Sequence, residues 1–318
     1  MIKNVCVTGG KGFIGLRLVA ALAQLGWNTR VLSRSSGLPT SHATCYVGDL
    51  LDKDSDLNGL LSDIDIVFHC AGEVKNTPLM RPLHVDGTRQ LLEAAKNRIR
   101  LTGRPLHWVQ LSSVGAYGPP LGAAHECRVI YETSPCLPVG EYETTKTSSD
   151  ALVQECAINE PLFSFSILRP SNVIGQTMSN QSLRSLVRMV EKQLFFYIGS
   201  KRSVATYVHV DDVVAALVLC GSHQEARGHI FNLSNDCLLA DIVEAVARQN
   251  ELRSPKLCLP ELPVRVVARL GSLVANFPLT QERIDALVRR TYYPTDKIES
   301  RLGYLPKFFI PTAVASMF

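Results

Sequence analysis

The chain has 318 residues, of which 46% are hydrophobic and 19% are charged, and its net charge is +4. This composition excludes intrinsic disorder, and the small charge without a basic run argues against a nucleic-acid-binding surface. No apolar stretch reaches the roughly 18 residues of a transmembrane helix. Nine scattered cysteines without a C-x-x-C pair are typical of reduced thiols, and an apolar run starting at residue 2 leaves no room for a signal peptide, so we expect a cytoplasmic protein.

The first fifteen residues combine a short apolar run (2–8), a glycine-rich turn and the start of a helical pattern at Leu16. Gly9 permits a tight turn, Gly12 lets the backbone approach a phosphate, and Gly15 lets the helix pack closely on the strand. Strand, glycine turn and helix in this order are typical of a dinucleotide-binding site. The spacing G-x-x-G-x-x-G differs from the commoner G-x-G-x-x-G, so a glycine turn without a ligand is the alternative interpretation.

Short apolar runs and helical patterns continue to alternate through the first two thirds of the chain. This alternation predicts an α/β fold, a Rossmann-type doubly wound parallel sheet with helices on both faces. The predicted strands are Val5–Thr8, Thr29–Ser33, Thr44–Val47, Ile64–His69, His107–Ser112 and Phe165–Arg169, and the predicted helices are Leu16–Leu25, Val85–Asn97 and Tyr142–Ala157.

The pattern becomes less regular beyond residue 175. We expect residues 1–175 to form the nucleotide-binding domain, with strand and helix returns from about 203–235. Residues 176–318 are expected to form mainly a smaller α/β substrate-binding domain. Its predicted elements are helices at 182–192, 213–220 and 240–249 and strands at 206–210 and 230–233.

The end of the second predicted strand bears on the choice of cofactor. An NAD site of this topology places an acidic residue there to bind the adenosine ribose, but this chain has Ser33, Arg34 and Ser35. The guanidinium of Arg34, flanked by two hydroxyls, suits a 2′-phosphate. The sequence therefore predicts NADP, with NAD as the alternative if Arg34 is an ordinary surface arginine.

Tyr142 and Lys146 lie four residues apart in a predicted helix, which places both side chains on one face. A phenol with a pKa of about 10 is a poor acid–base catalyst at neutral pH, and a nearby ammonium lowers that pKa. An exposed pair on a solvated helix face is the alternative. Ser112 and Ser113 follow an apolar strand, where a hydroxyl can bind a substrate oxygen or simply cap the next turn.

A series of motifs occurs in a characteristic order along nearly the whole chain. Together they resemble the extended short-chain dehydrogenase/reductase family, in its NAD(P)-dependent epimerase/dehydratase branch. The motifs are TGGKGFIG (8–15), GDL (48–50), FHCAG (68–72), HVDGT (84–88), LSSVGAYG (111–118), YETTK (142–146), LRPSNVIG (168–175), YVHVDDV (207–213), FNLS (231–234) and LGYLP (302–306).

This resemblance implies roles for individual residues. Tyr142 would be the acid–base residue, Lys146 its partner and Ser113, rather than Ser112, the third member. Asn172 would contact a substrate diphosphate, and Arg202 would replace an arginine that nucleotide-sugar members carry just before residue 207. His84 stands where the family usually has asparagine. The implied cofactor-binding residues are Gly9, Gly12, Phe13, Ile14, Gly15, Arg34, Asp49, Leu50, Ala71, Gly72, Tyr142, Lys146 and Pro170.

The family includes dehydratases, epimerases and reductases, and the residues of this chain favour reduction. Its 4,6-dehydratases carry an acidic pair where this chain has Val114 and Gly115, which cannot transfer protons. A reductase consumes one reduced cofactor per turnover, which fits NADPH. The leading hypothesis is an NADP-dependent reductase of a 4-keto nucleotide sugar. The alternatives are a nucleotide-sugar 4-epimerase with bound NAD, an NADPH-dependent reductase of a steroid- or flavonoid-like ketone, and a non-catalytic NADP sensor.

Two further stretches bear on partners. Residues 262–276 combine a wide apolar face with few cations, which predicts a helix packed on the smaller domain or, alternatively, a pocket lid or membrane-surface contact. His209, Asp211 and Asp212 could compose a metal cluster, but we expect no metal: Asp212 would open the next helix and His209 would pack under the sheet. A homodimer through helices 85–97 and 142–157 is common in the family that the chain resembles.

Overall fold

The computed structural model describes residues 2–37, 43–120, 122–178, 181–271 and 279–318. The strands within these ranges are β1 (Asn4–Thr8), β2 (Asn28–Ser33), β3 (Ala43–Val47), β4 (Ile66–His69), β5 (Leu106–Leu111), β6 (Cys127–Val129), β7 (Phe163–Pro170), β8 (Asn172–Ile174), β9 (Tyr197–Ile198), β10 (Val204–Ala205), β11 (Tyr207–His209), β12 (His229–Leu233), β13 (Cys237–Leu238), β14 (Cys258–Leu259) and β15 (Arg290–Tyr292).

The helices cover both faces of the sheet and build the C-terminal third. They are α1 (Phe13–Gln24), α2 (Leu57–Leu61), α3 (Thr77–Arg81), α4 (Gly87–Thr102), α5 (Glu141–Asn159), α6 (Gln181–Glu191), α7 (Val210–Ser222), α8 (Leu239–Gln249), α9 (Glu261–Gly271), α10 (Gln281–Val288), α11 (Asp296–Leu302) and α12 (Ile310–Ala315). A π-helical turn, Pro82–Asp86, joins α3 to α4.

Seven strands form one sheet in the order β12-β7-β5-β4-β1-β2-β3, and every neighbouring pair is parallel. The chain proceeds outward from β1 in one direction through β2 and β3, and in the other through β4, β5, β7 and β12. The order therefore reverses beside β1, and ligands of such sheets bind at the carboxyl ends of the strands at that point. The predicted doubly wound parallel sheet is confirmed.

The side chains of β1 show how the two faces of the sheet are packed. Val5 and Val7 point to one face and join a hydrophobic cluster with α1 and α7, while Cys6 points to the other face and joins α4 and α5. All three are completely buried. Strands buried on both faces explain why the sequence shows continuous apolar runs rather than alternation.

The C-terminal third is more helical than the sequence pattern indicates, because α10, α11 and α12 accompany α9, which lies in the stretch 262–276 that was predicted to be helical. One face of α9 packs Val264 and Ala268 against α10, while its opposite face exposes Leu262, Val266 and Leu270. Residues 272–276 of the predicted amphipathic stretch lie outside the described residues. Within the described ranges, no helix combines the length and apolarity needed to cross a membrane.

Candidate active site

The glycine turn between β1 and α1 forms a cradle of backbone. Gly9 has a φ of +69°, and a Cβ at this position would lie 2.7 Å from the backbone nitrogen of Ala71. A Cβ on Gly15 would overlap the carbonyl oxygen of Gly9, whereas Gly12 is exposed. Because the first turn of α1 contains no acidic residue, its free N–H groups and positive dipole end fit a pyrophosphate.

Two cations flank this cradle at the end of β2. Lys11, inside the glycine turn, donates from Nζ to the carbonyl and hydroxyl oxygens of Ser35, both at 2.9 Å. Arg34 is the preceding residue and is exposed. The structure thus places Lys11 near Arg34 as a second cation, and this role of Lys11 was not predicted from the sequence. A lysine within the glycine turn is the signal that could have revealed it.

The segment after β4 forms the opposite wall of the cleft. The backbone nitrogen of Ala71 donates to Thr8 Oγ1 at 3.2 Å, and Thr8 Oγ1 lies 2.7 Å from His69 Nδ1. This network ties the ends of β1 and β4 together next to Gly72, which is exposed. The carboxyl ends of the two central strands are therefore held at the point where a dinucleotide would cross the sheet.

Asp49 and Leu50 follow β3 at the same edge of the sheet. The Asp49 carboxylate accepts a hydrogen bond from the backbone nitrogen of Leu51 at 3.0 Å, which closes a turn. Leu50 is buried in the hydrophobic cluster under α4, where it contacts Gly87. Both residues thus shape the edge of the cleft through the turn that they form.

Lys146 is a buried cation at the carboxyl end of β5. Its Nζ donates to the carbonyl oxygen of Leu111, and within the described ranges no carboxylate lies at ion-pairing distance from it. Burial lowers the pKa of Lys146. One turn earlier on α5, Tyr142 is half-buried, and burial together with Glu143 and Asp150 raises its pKa to about 12. The pKa of Tyr142 is therefore raised and not lowered as the sequence suggests, with burial as the main cause.

The two serines after β5 have different surroundings. Ser112 is buried and donates to Asp150 Oδ2 at 2.7 Å, so its hydroxyl is already used. Ser113 Oγ accepts from the backbone nitrogen of Gly115 at 3.1 Å and caps the next turn, which leaves its hydroxyl proton free to donate. The side chain of Glu143 packs against Gly115, so the first turn of α5 lies over this segment. These contacts favour Ser113 over Ser112 as the third site residue.

His84 occupies the space between Tyr142 and Gly72. Its ring lies edge-on to the Tyr142 ring, with 5.6 Å between the centroids. A Cβ on Gly72 would come within 3.3 Å of His84 Nε2. His84 therefore links the Tyr142 ring to the segment after β4.

Comparison with known proteins agrees with this geometry. A family model, the NAD dependent epimerase/dehydratase family, matches residues 5–234. The chain belongs to this family. A sterol-4-alpha-carboxylate 3-dehydrogenase (decarboxylating) of Mus musculus is 24% identical over 98% of this chain and 89% of its own length. A 4-hydroxy-2-methyl-3-oxo-4-farnesyl-3,4-dihydroquinoline-1-oxide ketoreductase of Stigmatella aurantiaca is 25% identical over 94% and 90%.

Solved structures share the fold. The UDP-glucuronic acid 4-epimerase of Bacillus cereus, in complex with UDP-glucuronic acid and NAD, matches with a TM-score of 0.70 at 20% identity, over 98% of this chain and 96% of that one. This member of the epimerase/dehydratase family is accordingly an NAD(P)-dependent oxidoreductase or epimerase.

The other residues that the resemblance assigns to the cofactor (Phe13, Ile14 and Pro170) and to the substrate (Asn172 and Arg202) are more dispersed. Pro170 is buried at the end of β7, beside β5, the strand that precedes Ser113. Asn172 is exposed and donates from Nδ2 to the carbonyl oxygen of Thr206 at 3.1 Å. Arg202 is exposed, and its backbone nitrogen donates to Ser200 Oγ. The glycine-turn residues Phe13 and Ile14 pack inward, with Phe13 against Gly175.

The polar cluster at the start of α7 is structural. Asp212 lies in the first turn of α7 and is buried. It accepts hydrogen bonds from the backbone nitrogens of Lys307 at 2.9 Å and Phe308 at 3.3 Å, so it also anchors the C-terminal chain. His209 stacks on the Phe308 ring at 3.7 Å rather than packing under the sheet. No group of three potential metal ligands occurs among the described residues.

A cavity of about 350 Å³ lies beyond the Ser113 segment, between Pro119–Pro120 and helices α9 and α10. Arg265 and Arg289 line it. Glu261 and Asp285 pair with Arg265 at 2.8 and 2.7 Å. The Nε of Arg289 is buried without a hydrogen-bond partner in the described part of the chain. Glu261 and Asp285 also line the cavity, so its two arginines and two carboxylates balance in charge.

Proposed function

We propose that the chain is an NADP-dependent reductase that converts a ketone into a secondary alcohol, with Tyr142 as proton donor. The observation that carries this proposal is the buried Lys146 ammonium, which lies one turn from a protonated phenol and, in the described ranges, forms no ion pair, although the Asp150 charge acts on it. A buried cation without a counter-ion is costly, and such perturbed groups concentrate at functional sites. In this proposal residues 1–175 and β12 bind the dinucleotide, and residues 176–318 mainly hold the substrate.

The residues around the cleft fit a nicotinamide dinucleotide. The backbone of Gly9, Gly12 and Gly15 would hold the pyrophosphate, while Lys11 and Arg34 would bind a 2′-phosphate as a pair of cations. When bound, the cofactor supplies the hydride that a ketone carbon accepts. Lys146 has an ammonium group that can bind ribose hydroxyls at the same edge of the sheet.

The protonation state of Tyr142 suits it to the role of proton donor. A phenol whose pKa is raised to about 12 is protonated at neutral pH, which suits donation to a forming alkoxide. Ser113 would donate a hydrogen bond to the same oxygen and stabilise its developing charge. The nearby Lys146 ammonium stabilises the phenolate that remains after the proton has moved.

For the substrate we propose a 4-keto nucleotide sugar whose phosphates bind Arg289 at this cavity. A guanidinium can donate two parallel hydrogen bonds to phosphate oxygens, and Arg265 at the same cavity is already paired with Glu261 and Asp285. The related epimerase structure, which contains UDP-glucuronic acid, supports this choice. Arg202, in the strand-connecting segment beside Ser200, would contribute from the neighbouring wall.

An apolar ketone is the second candidate, and the exposed apolar face of α9 favours it. Leu262 and Leu270 are 77% and 64% exposed on the helix that carries Arg265 to the cavity. The two relatives described above act, by their names, on a sterol carboxylate and a farnesyl quinoline oxide. We also propose, as an alternative role, that this face contacts a membrane surface. For either substrate we propose a homodimer through α4 and α5.

The test combines a catalytic variant with a ligand screen. Tyr142→Phe should retain NADPH binding but lose turnover by about 10²–10⁴-fold, while Tyr131→Phe, at an exposed tyrosine, should retain both. UDP or dTDP should raise the melting temperature of the NADPH complex, and Arg289→Gln should abolish that rise. A rise with steroid ketones only would favour the second candidate. Full turnover by Tyr142→Phe would refute the proposed chemistry.

A further inference from the structure

His84 is a buried histidine in an unusual backbone conformation. It lies in the π-helical turn between α3 and α4, and its side chain is 1% exposed. π-Helical turns are rare, and they occur frequently at functional sites because they re-aim a side chain. Here the turn brings the His84 ring between the segment after β4 and the first turn of α5.

Both ring nitrogens of His84 have a hydrogen-bond partner. The backbone nitrogen of Glu73 donates to Nε2 at 2.9 Å, so Nε2 must be unprotonated. Nδ1 therefore carries the proton and donates to Thr145 Oγ1 at 2.8 Å. The hydroxyl of Thr145 in turn donates a hydrogen bond to the carbonyl oxygen of Glu141 at 2.7 Å. The neighbours thus select one neutral tautomer.

The neutral state of this ring is well protected. Burial and the nearby Lys146 charge lower the pKa of His84 to about 4, although Glu73 acts in the opposite direction. A protonated ring would place a hydrogen on Nε2 and break the contact with the Glu73 backbone. The described hydrogen bonds therefore persist through the neutral pH range.

We infer that His84 is a positioning residue that couples the cofactor-side wall at Gly72–Glu73 to the acid–base residue Tyr142. One side chain contacts three parts of the cleft: it accepts from Glu73, donates to Thr145 and packs its edge against the Tyr142 ring. Each of its two hydrogen bonds therefore holds a different wall of the cleft in place. This inference rests on the proposed catalytic role of Tyr142.

Substitutions with side chains of different length can remove the two hydrogen bonds of His84 one at a time. Asparagine has its polar atoms at the distance of Nδ1 from Cβ, so His84→Asn retains a partner for Thr145 and loses the contact with Glu73. Glutamine reaches one bond further, so His84→Gln can still accept from Glu73 but releases Thr145. His84→Phe keeps the ring against Tyr142 and loses both hydrogen bonds.

A matched control exists at the opposite end of β5. His107 is also buried and also uses both nitrogens, with Ser164 Oγ at 2.9 Å and the carbonyl oxygen of Cys220 at 3.0 Å. It lies four residues before Leu111, or about 13 Å along an extended strand. His107→Phe therefore reports the cost of removing a buried, doubly bonded imidazole without touching the cleft.

The experiment measures the NADPH dissociation constant by titration and kcat by steady-state assay. We expect His84→Asn to weaken NADPH binding about tenfold with little change in kcat, because the hydrogen bond to the cofactor-side wall is lost. His84→Gln should lower kcat about tenfold and retain NADPH affinity. His84→Phe should show both losses, and His107→Phe should show neither.

Other results would overturn the inference. If all three His84 variants resemble His107→Phe, or if the asparagine and glutamine variants change affinity and kcat in parallel, His84 is only a structural residue. Thr145→Val and Thr145→Ser provide a second route should the His84 variants fold poorly: valine should lower kcat and serine should restore it. The NADPH titrations need no turnover, so they remain decisive for the cofactor side even if Tyr142→Phe proves active.

Discussion

Two buried cations lie near Asp150 of helix α5, and they differ in whether a carboxylate pairs with them. Arg169 pairs with the Asp150 carboxylate at 3.1 Å, packs over the Tyr117 ring and donates to Cys136 Sγ. Lys146 lies one turn before Asp150 on the same helix but donates only to the Leu111 carbonyl among the described residues. One cation is thus held in an ion pair, whereas the Asp150 charge acts on the other without pairing with it.

This difference separates a structural charge from a functional one. A buried ion pair with complementary hydrogen bonds orders its surroundings, and removal of one partner leaves the other charge exposed to the low dielectric. A lone buried ammonium lowers stability and is retained only where its charge has a use. Substitution of the two cations should therefore have opposite effects on activity and on stability.

The largest expected effect is the loss of activity in Lys146→Met. Removal of the ammonium should lower kcat by about 10²–10⁴-fold, because the phenolate left by Tyr142 loses its stabilising charge. The free energy of unfolding should stay equal or rise, since methionine buries no charge and fills a similar volume. Steady-state assay and urea denaturation measure the two quantities. An active Lys146→Met enzyme would remove the distinction between the two cations.

Arg169→Met should show the reverse. Loss of the guanidinium leaves the Asp150 carboxylate buried without its ion-pair partner, and the free energy of unfolding should fall by about 3–5 kcal/mol. A second substitution, Asp150→Asn, should recover part of this loss in the double variant. Denaturant titrations of the four proteins in the cycle provide the measurement. Additive losses would show that the two side chains do not act as a pair.

The sequence predicts the sheet, the glycine turn and the Tyr142–Lys146 spacing because those features depend on local patterns. It does not predict the raised pKa of Tyr142, since that depends on burial contributed by segments distant along the chain. Nor does it predict the tautomer of His84, which is set by Glu73 and Thr145 from two different elements.

The short helices α10, α11 and α12 were missed for a related reason. Their apolar residues contact other elements, as Ile284 of α10 contacts Val264 of α9, and short stretches do not show such pairing in advance. Long elements with strong periodicity could be recognised from the sequence alone. Short helices that are stabilised mainly by tertiary packing could not.

Exposed cations provide a third class for the comparison. Lys11 and Arg34 border the glycine cradle in solvent, where ion contacts are weaker. We expect Lys11→Ala and Arg34→Ala each to weaken NADPH binding about tenfold and NADH binding by less than about twofold, because only NADPH carries the 2′-phosphate. Lys53→Ala removes an exposed lysine outside this corner and serves as the control. Equal weakening of both cofactors would contradict the NADP assignment.

The smallest expected effect is the pH dependence of the unfolding free energy, which arises from buried histidines that stay neutral in the folded protein. Burial is the main cause that lowers the pKa of His69 to about 3 and the pKa values of His84 and His107 to about 4. Unfolding exposes these rings, which then take up protons below about pH 6.5. The free energy of unfolding should therefore fall as the pH decreases from 6.5 toward 4. Asp236, whose pKa burial raises to about 6, acts in the opposite direction because it binds its proton earlier in the folded state.

His107→Phe removes one of the three titrating rings and should flatten this dependence. Between about pH 6 and 4.5 the slope of the unfolding free energy against pH should decrease by up to about 1.4 kcal/mol per pH unit, the value for one proton. The lost hydrogen bonds with Ser164 and Cys220 lower stability at every pH, so they shift the curve without changing its slope. Urea titrations at half-unit intervals separate the two effects. An unchanged slope would mean that His107 is already protonated in the folded protein, with its charge balanced inside the sheet as that of Arg169 is by Asp150.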